Sequence, residues 1–251
     1  MLMLDVACEP REPSEWFLRR PAHLRLFSKL AGRLIASVYH LRGKDRYDDF
    51  VLERVHGMPL LIVPSVFNPK LPRTGEFLSA RIDSQLVHDH FAILDMGTGS
   101  GVCALRAAQY SRHVVAVDIN PAAVRCTRLN ALLNNVEDRI DVRHGDLFDP
   151  VQGERFDLIF FNPPFLRGPP RDDRDRAWRS TDVPERFAAG LGARLKPGGC
   201  ALVVLSTFGD AGCFLREFHK HAFAVSAIAE RRFINERLAI FKITAGCSVS
   251  K

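Results

Sequence analysis

The tetrapeptide Asn162-Pro163-Pro164-Phe165 combines residue types that suit recognition of a planar, uncharged NH2 group. It follows an apolar run, 156–161, that is typical of a buried strand. Two prolines directly after a strand end its pairing and stiffen the chain, which places the Asn at the ligand-binding carboxyl edge of the sheet. The Asn oxygen and nearby peptide carbonyls accept hydrogen bonds, and the aromatic ring offers a stacking face. The tetrapeptide therefore predicts a site for an amide or a nucleobase amine.

A glycine-rich turn upstream has the spacing of a nucleoside-binding site. An apolar strand runs into Asp95-x-Gly97-x-Gly99-x-Gly101, and glycines let the backbone turn tightly and approach a ligand closely. Val102 stands where the last glycine of the dinucleotide-binding pattern G-x-G-x-x-G would fall. A carboxylate is also a poor neighbour for a pyrophosphate and a good one for an ammonium group. The turn thus fits a nucleoside that carries an amino acid better than it fits NAD.

A second acidic residue ends the next β-branched run. Asp118 closes the run 114–118 and lies 21 residues after Gly97. An acid at the end of the second strand, about 20 residues after the glycines, can accept both ribose hydroxyls. Asn120 followed by Pro121 is a good cap and first-turn residue for the next helix.

Together these residues resemble the class I methyltransferases that use S-adenosylmethionine, and the resemblance extends over roughly residues 50 to 245. Within that superfamily, 162–165 is similar to the N-P-P-Y/F group, which methylates exocyclic amines of bases or the side-chain amide of glutamine. The resemblance implies a Rossmann-like α/β fold with a seven-stranded methyltransferase sheet that ends in an antiparallel hairpin.

The resemblance also implies roles for individual residues. Asp146 accepts from the adenine amine and Leu147 lies against the ring, although Gly145–Phe148 also reads as a simple turn. Asp95 holds the amino end of the methionine moiety, and Thr98 either contacts its carboxylate or shapes the turn. The predicted cofactor-binding set is Asp95, Gly97, Thr98, Gly99, Gly101, Asp118, Ile119, Asp146, Leu147 and Asn162.

The predicted catalytic residues are Asn162, Pro163 and Phe165. Methyl transfer chiefly requires that donor carbon and acceptor nitrogen be held in line at near contact. Hydrogen bonds from the acceptor NH2 to the Asn162 side chain and the Pro163 carbonyl raise its electron density and stabilise developing positive charge. Phe165 would stack on the planar group. The alternative is that Asn162 caps a turn and Phe165 packs in the core.

Strands alternate with helices from Phe91 onward, which predicts parallel strands joined by right-handed crossovers. Strands are predicted over 91–96, 113–118, 139–143, 156–161 and 200–205, and helices over 100–110, 121–134, 183–194 and 209–219. Two strand-like runs, 223–228 and 237–244, fit the terminal hairpin. Upstream, 50–55 and 59–63 predict another hairpin, and Thr74 is a candidate cap for a helix after the proline-rich loop.

The predicted organisation is a helical N-terminal extension over 1–48, a hairpin with a substrate-proximal loop over 49–80, and a methyltransferase domain over 81–251. Within the extension, 22–41 places Phe27, Leu30, Leu34, Val38 and Leu41 at helical spacing. Its basic face, with Arg25, Lys29 and Arg33, is either solvated or a stripe that follows phosphates.

Two loops are candidates for choosing the substrate. The polar segment 166–182 is either a recognition element or self-compensating surface, and Trp178 either stacks on substrate or anchors the segment. The loop 67–77 matches in part the P-R-P-x-T-E element of release-factor glutamine methyltransferases.

Composition restricts the classes of protein to which the chain can belong, but it does not identify a function. The chain of 251 residues is 47% hydrophobic and 25% charged, which is ordinary for a globular protein. No run of about 18 apolar residues predicts a membrane span, and the start does not read as a signal peptide.

Six cysteines without a C-x-x-C pair favour a reducing, cytoplasmic setting. The net charge of +6 (35 − 29) is compatible with nucleic acid or an acidic partner. Two H-x-H pairs lack further ligands, so no metal is expected.

The sequence thus predicts an S-adenosylmethionine-dependent N-methyltransferase that acts on a planar amide or amine of a protein glutamine-like or small-metabolite acceptor. The alternative acceptor is an adenine or guanine amine in nucleic acid. Two other classes are a NAD-dependent oxidoreductase, which the glycine pattern disfavours, and a non-catalytic binding module. The oligomeric state is not indicated.

Overall fold

A computed structural model describes residues 49–70, 73–172, 175–233 and 236–246. The predicted helix over 22–41 and the rest of the extension over 1–48 lie outside the described residues. In chain order the helices and strands are β1 (Val51–Val55), β2 (Met58–Ile62), α1 (Thr74–Ser79), β3 (Ala92–Met96), α2 (Val102–Ala107), β4 (His113–Asp118), α3 (Pro121–Leu133), β5 (Ile140–His144), β6 (Phe156–Phe161), β7 (Leu166–Arg167), β8 (Arg179–Ser180), α4 (Val183–Arg194), β9 (Leu195–Ser206), α5 (Ala211–Lys220), β10 (Phe223–Arg232) and β11 (Arg237–Ala245).

A seven-stranded sheet forms the centre of the described part, with strand order β10-β11-β9-β6-β3-β4-β5. β3 pairs in parallel with both β4 and β6, and the parallel pairing continues outward to β5 and β9. β11 runs antiparallel to β9 and β10, so the Rossmann-like sheet with a terminal hairpin is confirmed. The chain builds outward from β3 to β5 and then returns to the other side of β3 with β6. This reversal creates a crevice at the carboxyl ends of β3, β4 and β6.

Two apolar cores cover the two faces of the sheet. Alternate residues of a strand point to opposite faces, and in β6 Leu158 and Phe160 belong to one core whereas Ile159 and Phe161 belong to the other. Because both faces are covered, β6 is apolar and buried from Leu158 to Phe161, as parallel buried strands are. The first core includes residues of α1, α2, α3 and the β1–β2 hairpin, and the second includes residues of α4 and α5.

The predicted hairpin over 50–55 and 59–63 is confirmed as the antiparallel pair β1–β2. The predicted cap at Asn120 is also confirmed, since its side chain accepts from the amide of Ala122 at 2.9 Å. The cap predicted at Thr74 is wrong. Thr74 is the first residue of α1, and the preceding Arg73 has a φ of 60° without a side-chain cap. The Thr74 hydroxyl is buried and has no hydrogen-bond partner among the described residues.

Other differences concern the ends of elements. α2 spans only Val102–Ala107 because the glycine turn continues to residue 101, where φ is 84°. β9 begins at Leu195, which pairs with Phe156 ahead of the predicted start of the strand. No helix among the described residues has the length and apolar character needed to cross a membrane.

Candidate active site and family

The register of the parallel strands brings the predicted residues together. Met96 of β3 pairs with Phe161 of β6, so the glycine turn and the tetrapeptide leave the sheet side by side. Met96 also pairs with Val117 of β4, and Asp118 pairs with His144 of β5. The four predicted segments therefore start from one edge of the sheet, although they are separated along the chain.

One cavity at this edge collects most of the predicted cofactor-binding residues. Its lining includes Asp95, Gly97, Thr98, Gly99, Asp118, Ile119, Asp146, Leu147 and Asn162. The lining does not include Gly101, Pro163 or Phe165, although Pro164 is part of it. The predicted roles of those three residues remain predictions.

Positive φ angles build the glycine turn. Gly97, Gly99 and Gly101 have φ values of 64°, 58° and 84°, in the region that strains residues with a β-carbon. At Gly101 space is also short, because a β-carbon would lie 2.9 Å from Cγ2 of Thr127. At Gly99 a β-carbon would meet nothing closer than 4.0 Å, so this part of the backbone is open to a ligand.

Asp95 is a buried carboxyl within this turn, with 4% of its surface exposed. Its Oδ2 accepts from the Thr98 hydroxyl at 2.7 Å and from the Ala104 amide at 3.0 Å. Burial raises the pKa of Asp95 to about 7, the two hydrogen bonds oppose this rise, and the charge of Asp118 adds to it. A cationic ligand group next to Asp95 would reverse the shift by stabilising the ionised form.

Asp118 receives backbone donors on both oxygens. Oδ2 accepts from the Gly99 amide at 2.8 Å and Oδ1 from the Asn120 amide at 2.9 Å. Burial raises the pKa of Asp118, and these hydrogen bonds act against the rise. Because an ionised carboxylate has about four acceptor sites, each oxygen keeps a lone pair for a ligand hydroxyl.

The predicted adenine acceptor, Asp146, has a partner that the sequence did not reveal. Its Oδ2 accepts from Nη1 of Arg186 at 2.8 Å, across 40 positions in the chain. Arg186 is in the first turns of α4 and also lines the cavity. No periodicity or motif links these two residues, so only the packing of α4 against the β5 loop reveals the pair.

Asn162 provides an unsatisfied acceptor at the cavity. Its Oδ1 is buried and has no hydrogen-bond partner among the described residues. Buried polar atoms are nearly always bonded, so an unpaired one in a cavity lining points to a ligand donor. Phe165 is buried, and its ring centroid lies 6.4 Å from that of Trp178.

The segment 166–182 closes one side of the cavity. β7 pairs in parallel with β8, and the Leu166 amide donates to the Trp178 carbonyl at 2.7 Å. The Trp178 ring lies 5.0 Å from the Phe67 ring, edge to face, so it links the two loops proposed to choose the substrate. This packing supports the anchoring role for Trp178. Arg176 and Arg179 of the segment line the cavity together with Asp182, and Arg179 forms an ion pair with Asp175 at 3.2 Å.

Neither H-x-H pair is part of a larger ligand cluster. The His88 and His90 rings are stacked 5.9 Å apart. Within the described ranges, no group of three or more His, Cys, Asp or Glu side chains has the arrangement of a metal site.

Comparison with known proteins finds methyltransferases among the relatives of this chain. A curated relative, the release factor glutamine methyltransferase of Koribacter versatilis, is 30% identical over 63% of this chain and 66% of its own length. The ribosomal RNA small subunit methyltransferase C of Alcanivorax borkumensis is 37% identical over 45% of this chain and 31% of its own length. The chain thus spans less than two thirds of either relative.

A solved structure has the same fold. The T. thermophilus 16S rRNA N2 methyltransferase, in complex with AdoMet and guanosine, superimposes with a TM-score of 0.59 at 23% identity, over 78% of this chain and 50% of that one. The sequence model of the methyltransferase small domain matches residues 61–231, which include the glycine turn, Asp118, Asp146 and the tetrapeptide. The chain therefore belongs to the methyltransferase small domain family.

Proposed function

We propose that this protein binds S-adenosylmethionine in the cavity and methylates the nitrogen of a planar amide or amine beside Asn162. The observation that carries the proposal is the buried, unpaired Oδ1 of Asn162, next to a glycine turn and two buried carboxyls. An acceptor NH2 group would supply the missing donor. The predicted NAD-dependent oxidoreductase and the non-catalytic module leave this oxygen unexplained.

The residues present fit the cofactor. Asp118 would hold the ribose hydroxyls through its remaining lone pairs, and Asp146 would accept from the adenine amine through the oxygen that Arg186 leaves free. Asp95 would attract the amino end of the methionine moiety, while Gly99 lets the backbone approach. When bound, S-adenosylmethionine supplies a methyl group already activated by the positive charge on sulfur.

The chain itself positions and polarises the acceptor. Asn162 Oδ1 accepts one N–H of the acceptor, which orients the nitrogen lone pair and stabilises the positive charge that develops on it. No side chain is required as a base, because the proton can leave the nitrogen after the methyl group has been transferred.

We favour an amide acceptor of the protein glutamine type. The relative from Koribacter versatilis is named a release factor glutamine methyltransferase, and the loop 67–77 of this chain matches that group in part. An amine in nucleic acid is the second candidate, because the cavity rim carries Arg176 and Arg179 and the relative from Alcanivorax borkumensis is named for ribosomal RNA. The described cysteines are free and buried, which supports a cytoplasmic setting.

Labelled methyl donor distinguishes these acceptors. The protein is incubated with methyl-labelled S-adenosylmethionine and a cell extract, and the protein, RNA and small-molecule fractions are counted separately. We expect label in the protein fraction; label confined to RNA would show that the acceptor is a nucleic acid and not an amide.

Calorimetry with S-adenosylhomocysteine tests the cofactor separately. Asp118→Ala should weaken binding of this ligand at least tenfold relative to Gln152→Ala, an exposed site on another loop. Equal affinities would refute the ribose assignment.

A further inference from the structure

Large apolar side chains are exposed together on β1, the residue before it, and α3. Phe50 is 67% exposed and Leu52 71%, while Leu129, Leu132 and Leu133 are 44%, 56% and 45% exposed. We call these five residues the apolar patch. Single exposed leucines are ordinary, whereas several on adjoining elements mark a surface that another chain segment covers.

Hydrogen bonds show that the two elements form one surface. The Asn130 side chain of α3 accepts from the Leu61 amide at 2.7 Å and donates to the Leu61 carbonyl at 2.9 Å. α3 therefore lies along the free edge of β2. Leu61 pairs with Leu52 of β1, and side chains directly opposite in a pair share a face. Leu133 and Leu129 lie about 60° and about 100° from Asn130 around the helix axis, in the same direction, with Leu132 further round. The leucines therefore form one side of the helix, and this side adjoins the hairpin at Leu133.

The chain itself offers an occupant for the apolar patch. Residues 1–48 lie outside the described residues and lead directly into Asp49 and Phe50. The sequence predicts a helix over 22–41 with an apolar stripe of Phe27, Leu30, Leu34, Val38 and Leu41. Such a helix needs a surface on which to bury its stripe. We propose that the segment 22–41 docks its apolar stripe on the apolar patch.

The connection is long enough and favours an intramolecular contact. Residues 42–48 separate the segment from Asp49, and seven extended residues reach about 23 Å. A short tether holds the segment near the apolar patch at an effective concentration in the millimolar range. A second copy of the chain would have to compete with that tether. The basic residues Arg25, Lys29 and Arg33 fall on another face of the predicted helix and would stay in water.

Hydrogen exchange of the full chain tests the docking. In the wild-type protein we expect the amides of 27–41 to exchange at least tenfold more slowly than in an unstructured peptide. The double variant Leu52→Lys/Leu132→Asp should remove most of this protection. The control Ala224→Asp places a charge at an exposed position of β10, at the far edge of the sheet, and should leave the protection unchanged.

A second variant keeps the test decisive if the first one unfolds. Leu34→Asp/Val38→Asp changes only the segment, and it should increase exchange both in 27–41 and in β1. The proposal is overturned if 27–41 is unprotected in the wild-type protein, or if its protection survives both variants. Sedimentation gives a further outcome that overturns the proposal. If the wild-type protein is a dimer that only Leu52→Lys/Leu132→Asp dissociates, the occupant of the apolar patch is a second copy of the chain.

Discussion

At the scale of single residues, Asn162 is the proposed contact of the methyl acceptor, and the residues around it are proposed to bind the cofactor. Asn162→Ala removes the unpaired acceptor but touches none of the buried carboxyls. We expect turnover to fall about 100-fold, in the range seen when one stabilising hydrogen bond at a reacting centre is lost. Affinity for S-adenosylhomocysteine should not change in calorimetry. Retained turnover would show that Oδ1 does not contact the acceptor.

The Asp95 carboxyl predicts a dependence of stability on pH. Burial raises the pKa from 3.8 to about 7, so between these values the folded protein keeps a proton that the unfolded chain has released. Stability conferred by this proton therefore falls as pH rises from about 4 to about 7 and is constant above that. The shift corresponds to up to about 4 kcal/mol. Between pH 5 and pH 8, urea unfolding should show about 3 kcal/mol of this loss in the wild-type protein and none of it in Asp95→Asn. Parallel behaviour of the two proteins would contradict the shift.

Arg186 should act on the cofactor only through Asp146. Arg186→Gln removes the 2.8 Å hydrogen bond that orients the Asp146 carboxylate. We expect affinity for S-adenosylhomocysteine to fall about tenfold, since a hydrogen bond to a charged group contributes about 1.5 kcal/mol. S-inosylhomocysteine lacks the adenine amine, so its affinity should be unaffected. If both ligands lose affinity equally, Arg186 supports the cavity in general and does not position Asp146.

At the scale of elements, Asn130 fastens the β1–β2 hairpin to the domain. It is fully buried, and its side chain bonds both the amide and the carbonyl of Leu61 and also the Ser100 carbonyl. Asn130→Ala would leave these backbone groups without partners, and we expect a loss of about 2–4 kcal/mol in the free energy of unfolding. Gln85→Ala, which truncates an exposed amide, is the control. A similar effect of both substitutions would show that the hairpin is held by apolar packing alone.

Elements with a clear local sequence pattern were predictable from the sequence. β6 is apolar apart from Asp157, and both its existence and its position before Asn162 followed from that run. The cap at Asn120 followed from a local Asn-Pro signal. By contrast, threonine commonly caps helices, but α1 already begins at Thr74, one residue earlier than the proline-rich loop suggested. The Asp146–Arg186 pair depends on how α4 packs, which no local pattern encodes.

At the scale of the whole molecule, the reversal of strand order beside β3 joins two sites into one. The proposed cofactor-binding residues follow β3, β4 and β5, whereas Asn162, the proposed acceptor contact, follows β6 on the other side of the reversal. Under the proposed function the sheet would fix where the methyl group is delivered, and relatives with different acceptors could share it. Choice of acceptor is left to loops such as 67–77 and 166–182, whose sequences carry little periodic signal. This explains why the reaction class was easier to predict than the acceptor.

A crystal structure of the protein with S-adenosylhomocysteine would show whether the methyl donor and the acceptor meet beside Asn162. We predict that the ribose contacts Asp118, the adenine lies by Asp146, and the sulfur faces the side of the cavity that carries Asn162 Oδ1. Between the sulfur and that oxygen there should be space for one planar NH2 group. A ligand bound elsewhere, or one whose sulfur points away from Asn162, would contradict the account.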